Sequence, residues 1–132
     1  MTSLAALPKF LAYIGLSVAL LAAFLGAYTA LTPYKEWPSI RAGNAAAALS
    51  LAGAAIGFCL PLASLVSHSV GLADVLVWGV VALGVQALAF LLLRLMHTDL
   101  WGAIERGDMA AAVTVAAGSV AVGILNAACL TY

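Results

Sequence analysis

The residues best suited to chemistry are Ser64, Ser67, His68 and Asp74, which lie close together along the chain. A serine hydroxyl beside a histidine base is the arrangement of nucleophilic catalysis. Such a site also needs a group that orients the base and an oxyanion hole, and neither can be recognised in this stretch. We therefore predict that the protein is not an enzyme and has no catalytic residues.

Two amide side chains lie inside long apolar runs, Gln86 near the centre of one run and Asn126 near the end of another. In a membrane such an amide must pair with a neighbouring helix, with its own copy in an oligomer, or with a wet cavity. Helix packing and a neutral pathway for a solute both remain open for these residues. A proton-coupled or metal-ion carrier is disfavoured, because no ionisable residue lies at mid-depth in any run.

The composition is that of an integral membrane protein. Only 8% of the 132 residues are charged and 66% are hydrophobic, whereas soluble domains carry roughly 25% charged residues. The formal net charge is zero, so no basic surface is available for nucleic acid. Cys59 and Cys129 have no CxxC spacing, and no metal-ligand spacing or phosphate-binding loop stands out, so we predict no metal and no cofactor.

Four continuous apolar runs are long enough to cross a hydrocarbon core of roughly 30 Å as helices. They predict an all-α integral membrane fold with spans at residues 10–31, 43–66, 74–95 and 109–130. A β-barrel could not close on so few segments, which also lack alternating polarity. The first run exceeds the about 7 to 15 apolar residues of a signal-peptide core, so we expect it to be retained.

The chain also repeats itself. Residues 40–49 return as residues 104–113, where Gly and then Asn or Asp again open a run of small residues. We predict two tandem two-span hairpins, residues 1–66 and 67–132, that form one membrane domain and enter the membrane from the same side.

Polar residues at the starts of the spans are predicted to be helix caps. Asn44 and Asp108 follow a glycine and begin the second helix of each hairpin, where a short polar side chain satisfies free N–H groups. Asp74 has the same role at the start of the third span, where a carboxylate also favours the positive end of the helix dipole.

Small residues at a spacing of four predict where helices pack closely in lipid. Gly15 belongs to such a stripe on the first span, and Gly53 and Gly57 form one on the second. Ala117 and Ala121 hold the matching places on the fourth span. We predict that all five lie at contacts between helices.

The polar connections at residues 32–43 and 96–108, called here the two elbows, decide the expected orientation. Lys9 is the one basic residue at the other end of the spans. The positive-inside rule therefore predicts that the elbows are cytoplasmic and that both termini lie outside. The basic residues in or beside the elbows are Lys35, Arg41, Arg94 and Arg106.

The elbows are also the expected docking sites. Trp37 and Trp101 suit a membrane interface, where an indole buries its ring and keeps its N–H in water. Together with Arg41 and Arg106 they are predicted to bind a peripheral partner or an anionic lipid.

Several short motifs spread over nearly the whole chain resemble the YjfL family of bacterial inner-membrane proteins, which is defined by domain of unknown function 350. The resemblance implies two such domains, location in the inner (plasma) membrane, and an association with phage-shock-type envelope stress. It implies no activity. The motifs are Thr32-Pro33-Tyr34-x-Glu36-Trp37, Ile40-Arg41-x-Gly43-Asn44-x-Ala46-Ala47-Ala48, Gly57-Phe58-x-Leu60-Pro61-Leu62-Ala63-Ser64, Trp78, Gln86 and Gly123-x-x-Asn126-Ala127-Ala128.

Two functions remain open from the sequence. The first is a non-enzymatic module of the lipid bilayer that forms homo-oligomers or binds other membrane proteins, with a role in envelope maintenance. The alternative is a small channel or transporter whose neutral pathway includes Gln86.

Overall fold

The computed structural model describes residues 6–31, 36–96 and 100–130, and the elements in these ranges are all helical. Four of the helices are long and apolar enough to cross a membrane, which confirms the predicted all-α membrane fold. The four predicted spans match these helices to within three residues at each end. The helices are α1 (Leu7–Leu31), α2 (Glu36–Arg41), α3 (Ala45–His68), α4 (Leu72–Met96), α5 (Leu100–Glu105) and α6 (Met109–Cys129).

The short helices α2 and α5 lie inside the elbows, where the sequence indicates only polar connections. Each has six residues, which is too short for a hydrophobic period to appear in the sequence. Pro38 is compatible with α2 because it lies in the first turn, where its missing N–H would have no helical partner. Lys35 and the other residues at 32–35 and 97–99 lie outside the described residues, as does the side chain of Arg94.

The most extensive contact between described helices is the one between α3 and α6, which run side by side in the same direction. Gly53 faces Ala116, and further along the pair Ser64 Oγ donates a 3.1 Å hydrogen bond to the carbonyl of Ala127. Both helices therefore begin at the elbows and run in parallel toward the opposite end of the bundle.

At the middle of this pair the two backbones touch. A Cβ atom at Gly57 would overlap the carbonyl of Ser119, and a Cβ atom at Gly123 would overlap the carbonyl of Gly57. Pro61 has no N–H, so the Gly57 carbonyl lacks its usual partner within α3. The Cα of Gly123 lies against that carbonyl instead, a geometry in which a weak Cα–H···O contact replaces part of the lost bond.

Helices α1 and α4 cover the central pair with a cluster of buried rings. Phe24 of α1 stacks on Phe58 of α3 at 4.7 Å between centroids, and Tyr28 meets the edge of Phe90 of α4 at 5.0 Å. The Tyr28 hydroxyl lies 3.2 Å from Ser50 Oγ on α3, so this polar end is paired inside the membrane region. Edge-on and offset rings stabilise packing beyond the area that they bury.

The structure corrects part of the predicted packing pattern. Gly53 and Gly57 are buried at the contact of α3 with α6, but Gly15, Ala117 and Ala121 are exposed at the surface of the chain. A Cβ atom at Gly15 would meet nothing within 4 Å. Helix α6 is rotated so that its buried small residues are Ala111, Ala112, Ser119 and Gly123. Helix α1 packs through Leu20, Phe24 and Tyr28.

Replacing Gly123 by Ala tests the backbone contact. The added methyl group would collide with the Gly57 carbonyl, and because both partners are helix backbone the two helices must separate. We expect a loss of about 1–3 kcal/mol in the free energy of unfolding, the usual cost of overpacking. The measurement is reversible unfolding of the purified protein in bicelles.

Gly84→Ala is the matched control, because a Cβ atom there would meet nothing within 4 Å on an exposed part of α4. Its unfolding free energy should stay at or slightly above that of the original protein. Equal stability of Gly123→Ala and Gly84→Ala would contradict the close contact.

Candidate functional site

The two elbows have the same backbone turn. Gly43 and Gly107 adopt φ values of +94° and +87°, in the left-handed region that favours glycine at the end of a helix. Each glycine N–H bonds to the carbonyl three residues earlier, and the next N–H bonds to the carbonyl five residues earlier. These bonds are Gly43 to Ile40 (3.0 Å), Asn44 to Ser39 (3.0 Å), Gly107 to Ile104 (2.9 Å) and Asp108 to Ala103 (2.9 Å).

Asn44 joins the two elbows. Its Oδ1 accepts a hydrogen bond from Ala47 N at 3.1 Å, as an N-cap of α3 does. Its Nδ2 donates to the carbonyls of Ile104 and Glu105 at the end of α5, both at 3.0 Å. One side chain therefore caps a helix in the first half of the chain and binds the last turn of a helix in the second half.

The two aspartates act as acceptors at helix starts. Asp108 is the N-cap of α6 and accepts from the N–H groups of Ala110 and Ala111 at 3.0 and 3.4 Å. Asp74 lies in the first turn of α4, and its Oδ2 accepts from Val70 N at 3.4 Å. Both aspartates accept hydrogen bonds here, and Asp108 lacks the N–H donors with which the amide of Asn44 binds the other elbow.

Three of the four predicted docking residues are on the surface of the elbows. The side chain of Trp37 is 51% exposed, and Arg41 and Arg106 are exposed as well. Beside them an open cavity of about 430 Å³ lies between the two elbows. Residues 42–46 line it on one side and residues 105–107 and 109 on the other.

Trp101 is buried, with only 5% of it exposed, so its side chain does not lie on the surface of the elbows beside the other three. Its ring packs edge-on to Tyr28 at 6.0 Å between centroids and lies 6.4 Å from Phe90. Trp101 and Trp37 are at matching positions of the sequence repeat. The buried rings of α1 and α4 lie next to Trp101, whereas Trp37 is exposed. The indole N–H of Trp101 is buried, and no hydrogen-bond acceptor for it lies in the described part of the chain.

The two amides predicted either as packing contacts or as pathway residues bind α4 to α6. Gln86 is fully buried and its Nε2 donates to the Ser119 carbonyl at 3.4 Å, while Asn126 Nδ2 donates to the Ala82 carbonyl at 3.2 Å. Both contacts lie between antiparallel helices of the same chain. This geometry favours the packing interpretation over a pathway lined by these side chains.

The residues with the types of a hydrolase site are engaged with the backbone. The Ser64 hydroxyl donates to Ala127 O across α3 and α6, and the Ser67 hydroxyl donates to Ala63 O at 2.8 Å within α3. His68 Nδ1 lies 2.8 Å from the Ser64 carbonyl rather than from a serine hydroxyl. These contacts stabilise the end of α3 and its packing on α6.

Sequence reasoning missed two contributions to this arrangement. The pairing of Tyr28 with Ser50 could not be recognised, because neither residue stands out in a run that contains several hydroxyl groups. The reach of Asn44 to a second elbow was missed because a capping motif reports only on its own helix. The signal that could have suggested it is the difference between Asn44 and Asp108 at matching positions, since only the amide has donors.

Comparisons with known proteins agree with this description of a membrane protein. The family model described as Domain of Unknown Function (DUF350) matches residues 1–130. The chain is 37% identical over 123 residues to the UPF0719 inner membrane protein YjfL of Escherichia coli strain K12, and equally to that of Escherichia coli O157:H7. Each alignment covers 93% of both proteins. No solved structure matches the chain.

Asn44→Asp tests the bond between the elbows. The carboxylate keeps an acceptor for Ala47 N but loses the two donors to the Ile104 and Glu105 carbonyls, which it would instead repel. We expect a loss of about 1–3 kcal/mol in unfolding free energy, because two carbonyls lose a partner.

The reciprocal variant Asp108→Asn is the control, since an amide oxygen still caps α6 and no donor is removed. Its stability should change little. If both variants unfold at the same denaturant concentration as the original protein, the Asn44 amide does not hold the elbows together.

Proposed function

The chain belongs to the DUF350 family of membrane proteins, whose description assigns no activity, and from this premise we propose that it is a non-enzymatic module of the bacterial inner membrane. It acts by forming homo-oligomers or by binding other membrane proteins, in the maintenance of the cell envelope. The inner-membrane location rests on the YjfL relatives and on four apolar helices.

The observation that supports this proposal best is the outward position of small residues. Gly15 on α1 and Ala117 and Ala121 on α6 are exposed in the membrane-spanning region. Lipid gives apolar helices no hydrophobic reason to associate, and small residues at the surface let a second backbone approach closely. These surfaces of α1 and α6 are therefore where we place the contact with another chain.

The use of polar side chains supports a binding role rather than an enzymatic one. Gln86, Asn126, Ser64 and Asn44 are all hydrogen-bonded to carbonyls of neighbouring helices. Side chains committed to packing in this way stabilise the bundle and are not free to act on a substrate.

The elbows are the proposed docking site for an anionic lipid headgroup or an acidic peripheral partner. Arg41 and Arg106 are exposed there next to the cavity between the elbows, and Trp37 is half-exposed. Basic residues at a membrane surface attract anionic lipids, and an indole at the same depth anchors the surface to the headgroups.

A neutral channel is the second candidate. One feature favours it: the side-chain carbonyl oxygen of the buried Gln86 accepts no hydrogen bond from the described residues. Because Gln86 lies between α4 and α6 of one chain, a pathway that runs between copies would not reach this side chain without a change in packing. We therefore rank the channel below the binding module.

Crosslinking in the native membrane tests the binding role. We expect crosslinked homo-oligomers or complexes with another membrane protein, with Gly15→Leu or Ala121→Leu lowering their yield several-fold. Leucine at either site fits the isolated chain, since both residues are exposed.

Val18→Leu and Ile124→Leu are the matched controls, because both residues are exposed and already large on the same two helices. Their crosslinking yield should not change. A protein that stays monomeric and recovers no partner in native mass spectrometry with its lipids still bound would rule out the proposal.

Cytoplasmic elbows and outside termini follow from the distribution of basic residues, and a thiol reagent that cannot cross the membrane tests this orientation. Cys129 is exposed at the end of α6 opposite the elbows. In spheroplasts of a Cys59→Ser strain we expect Cys129 to be labelled from outside. A cysteine introduced by Ala42→Cys, in a chain with Cys59→Ser and Cys129→Ser, should be labelled only after the membrane is opened. The opposite pattern would invert the topology.

A further inference from the structure

A groove runs between α1 and α3 in the half of the bundle that lies away from the elbows. Its volume is about 430 Å³. Residues 14–21 of α1 form one wall and residues 59–67 of α3 form the other. The groove opens sideways to the bilayer, since Val18 and Ala63 in its walls are exposed.

The side chains at the two ends of the groove explain why it exists. Phe24 and Phe58 stack between α1 and α3 one turn closer to the elbows, with their ring centroids 4.7 Å apart, and they hold the helices apart. Beyond the rings the walls carry Ser17 on α1 and Ala63 and Ser67 on α3. These side chains are too short to close the space that the rings create.

The chemistry of the groove calls for an apolar occupant. The hydroxyls of Ser17 and Ser67 donate to carbonyls of their own helices, those of Tyr13 at 2.7 Å and Ala63 at 2.8 Å. Their hydrogens are therefore already used, and the bilayer core has no water to offer. Side chains that face an empty space lose their dispersion contacts, so an apolar group that fills the groove is stabilised there.

The length of the groove distinguishes an acyl chain from a helix of another protein. Residues 59–67 of α3 extend over roughly 12 Å, at about 1.5 Å per residue, which is less than half of a hydrocarbon core of roughly 30 Å. A spanning helix is about 10–12 Å wide and crosses the whole core, whereas Phe58 ends the groove near the middle of α3. An acyl chain belongs to one leaflet and ends near the same depth.

The open end of the groove lies where a headgroup would be. Ser67 lines the groove and is the second-last residue of α3, which ends at His68. We propose that the groove binds one acyl chain of a phospholipid from the leaflet opposite the elbows. This site lies apart from the elbows and does not depend on the proposed binding of other membrane proteins.

Native mass spectrometry of the full-length protein released from nanodiscs of palmitoyl-oleoyl-phosphatidylethanolamine tests the proposal. We expect one phospholipid per chain to survive collisional activation that removes the other lipids. Ala63→Phe places a ring in the groove and should lower this retention several-fold. Equal retention by Ala63→Phe and the original protein would overturn the proposal.

Val77→Phe is the matched control. Val77 is exposed on α4 and lies five positions after its first residue, Leu72, just as Ala63 lies five positions before the last residue of α3, His68. This variant should retain the lipid as the original protein does. An equal loss of lipid in Val77→Phe and Ala63→Phe would also overturn the proposal, because the effect would not belong to the groove.

Ser17→Leu fills the groove from the other wall and should also lower retention, so it serves if Ala63→Phe does not fold. A phosphatidylethanolamine with a diazirine at the end of one acyl chain, added to the same nanodiscs, locates the chain. Its adducts should be several-fold more frequent on Cys59 than on Val81, which is exposed at the matching distance from the end of α4. Equal labelling of the two residues would contradict a bound chain.

A second copy of the chain in the groove would give a different result. Crosslinked dimers would then disappear in Ala63→Phe while lipid retention stayed unchanged, and this outcome would overturn the acyl-chain site. Failure of the proposed binding module, seen as a protein without crosslinked partners, would leave the lipid retention and its loss in Ala63→Phe as expected.

Discussion

The backbones of α3 and α6 touch at Gly57 and Gly123, and the positions of the other elements depend on this contact. Two helices can approach so closely only where both lack a side chain or carry a very small one. The parallel direction of the pair brings the starts of both helices to one end of the bundle. There the elbows lie side by side, and the amide of Asn44 reaches the carbonyls that end α5.

The two halves of the chain share their turns but not their interior contacts. Both elbows close with glycine in the left-handed region and the same pair of backbone hydrogen bonds. Deeper in the membrane, α1 meets α3 through stacked rings and the Tyr28 to Ser50 contact, whereas α4 meets α6 through the amides of Gln86 and Asn126. An aromatic contact tolerates small shifts, but a buried amide must keep its acceptor. The two halves are therefore held by different kinds of contact inside the membrane.

The polar groups inside the bundle and the charged groups at the elbows have different roles in the proposed function. The buried amides and the hydroxyls of Ser50 and Ser64 are turned inward, toward carbonyls or other hydroxyls of the bundle. The outside of the spans is apolar, with small residues exposed on α1 and α6. Charged groups that can attract a ligand by electrostatics lie at the elbows, in an aqueous or headgroup environment. In the proposed function these are the two surfaces for association, one for helices within the membrane and one for charged headgroups or proteins at the elbows.

The sequence by itself determined the number of spans, the helical class and the places where the long helices begin. These features depend on local physics: the length of an apolar run, the need to satisfy every backbone group in lipid, and a glycine followed by a capping side chain. Only the tertiary structure decided which small residues touch, because an alanine-rich helix has small residues on several faces and its rotation is set by the shape of its neighbour. Gly15, Ala117 and Ala121 fit the spacing rule as well as Gly53 and Gly57 do, yet of these five only Gly53 and Gly57 are buried, both against α6. Trp101 and Trp37 differ for the same reason: equivalent positions in a sequence share an environment only if their neighbours match, and Tyr28 and Phe90 pack against Trp101 alone.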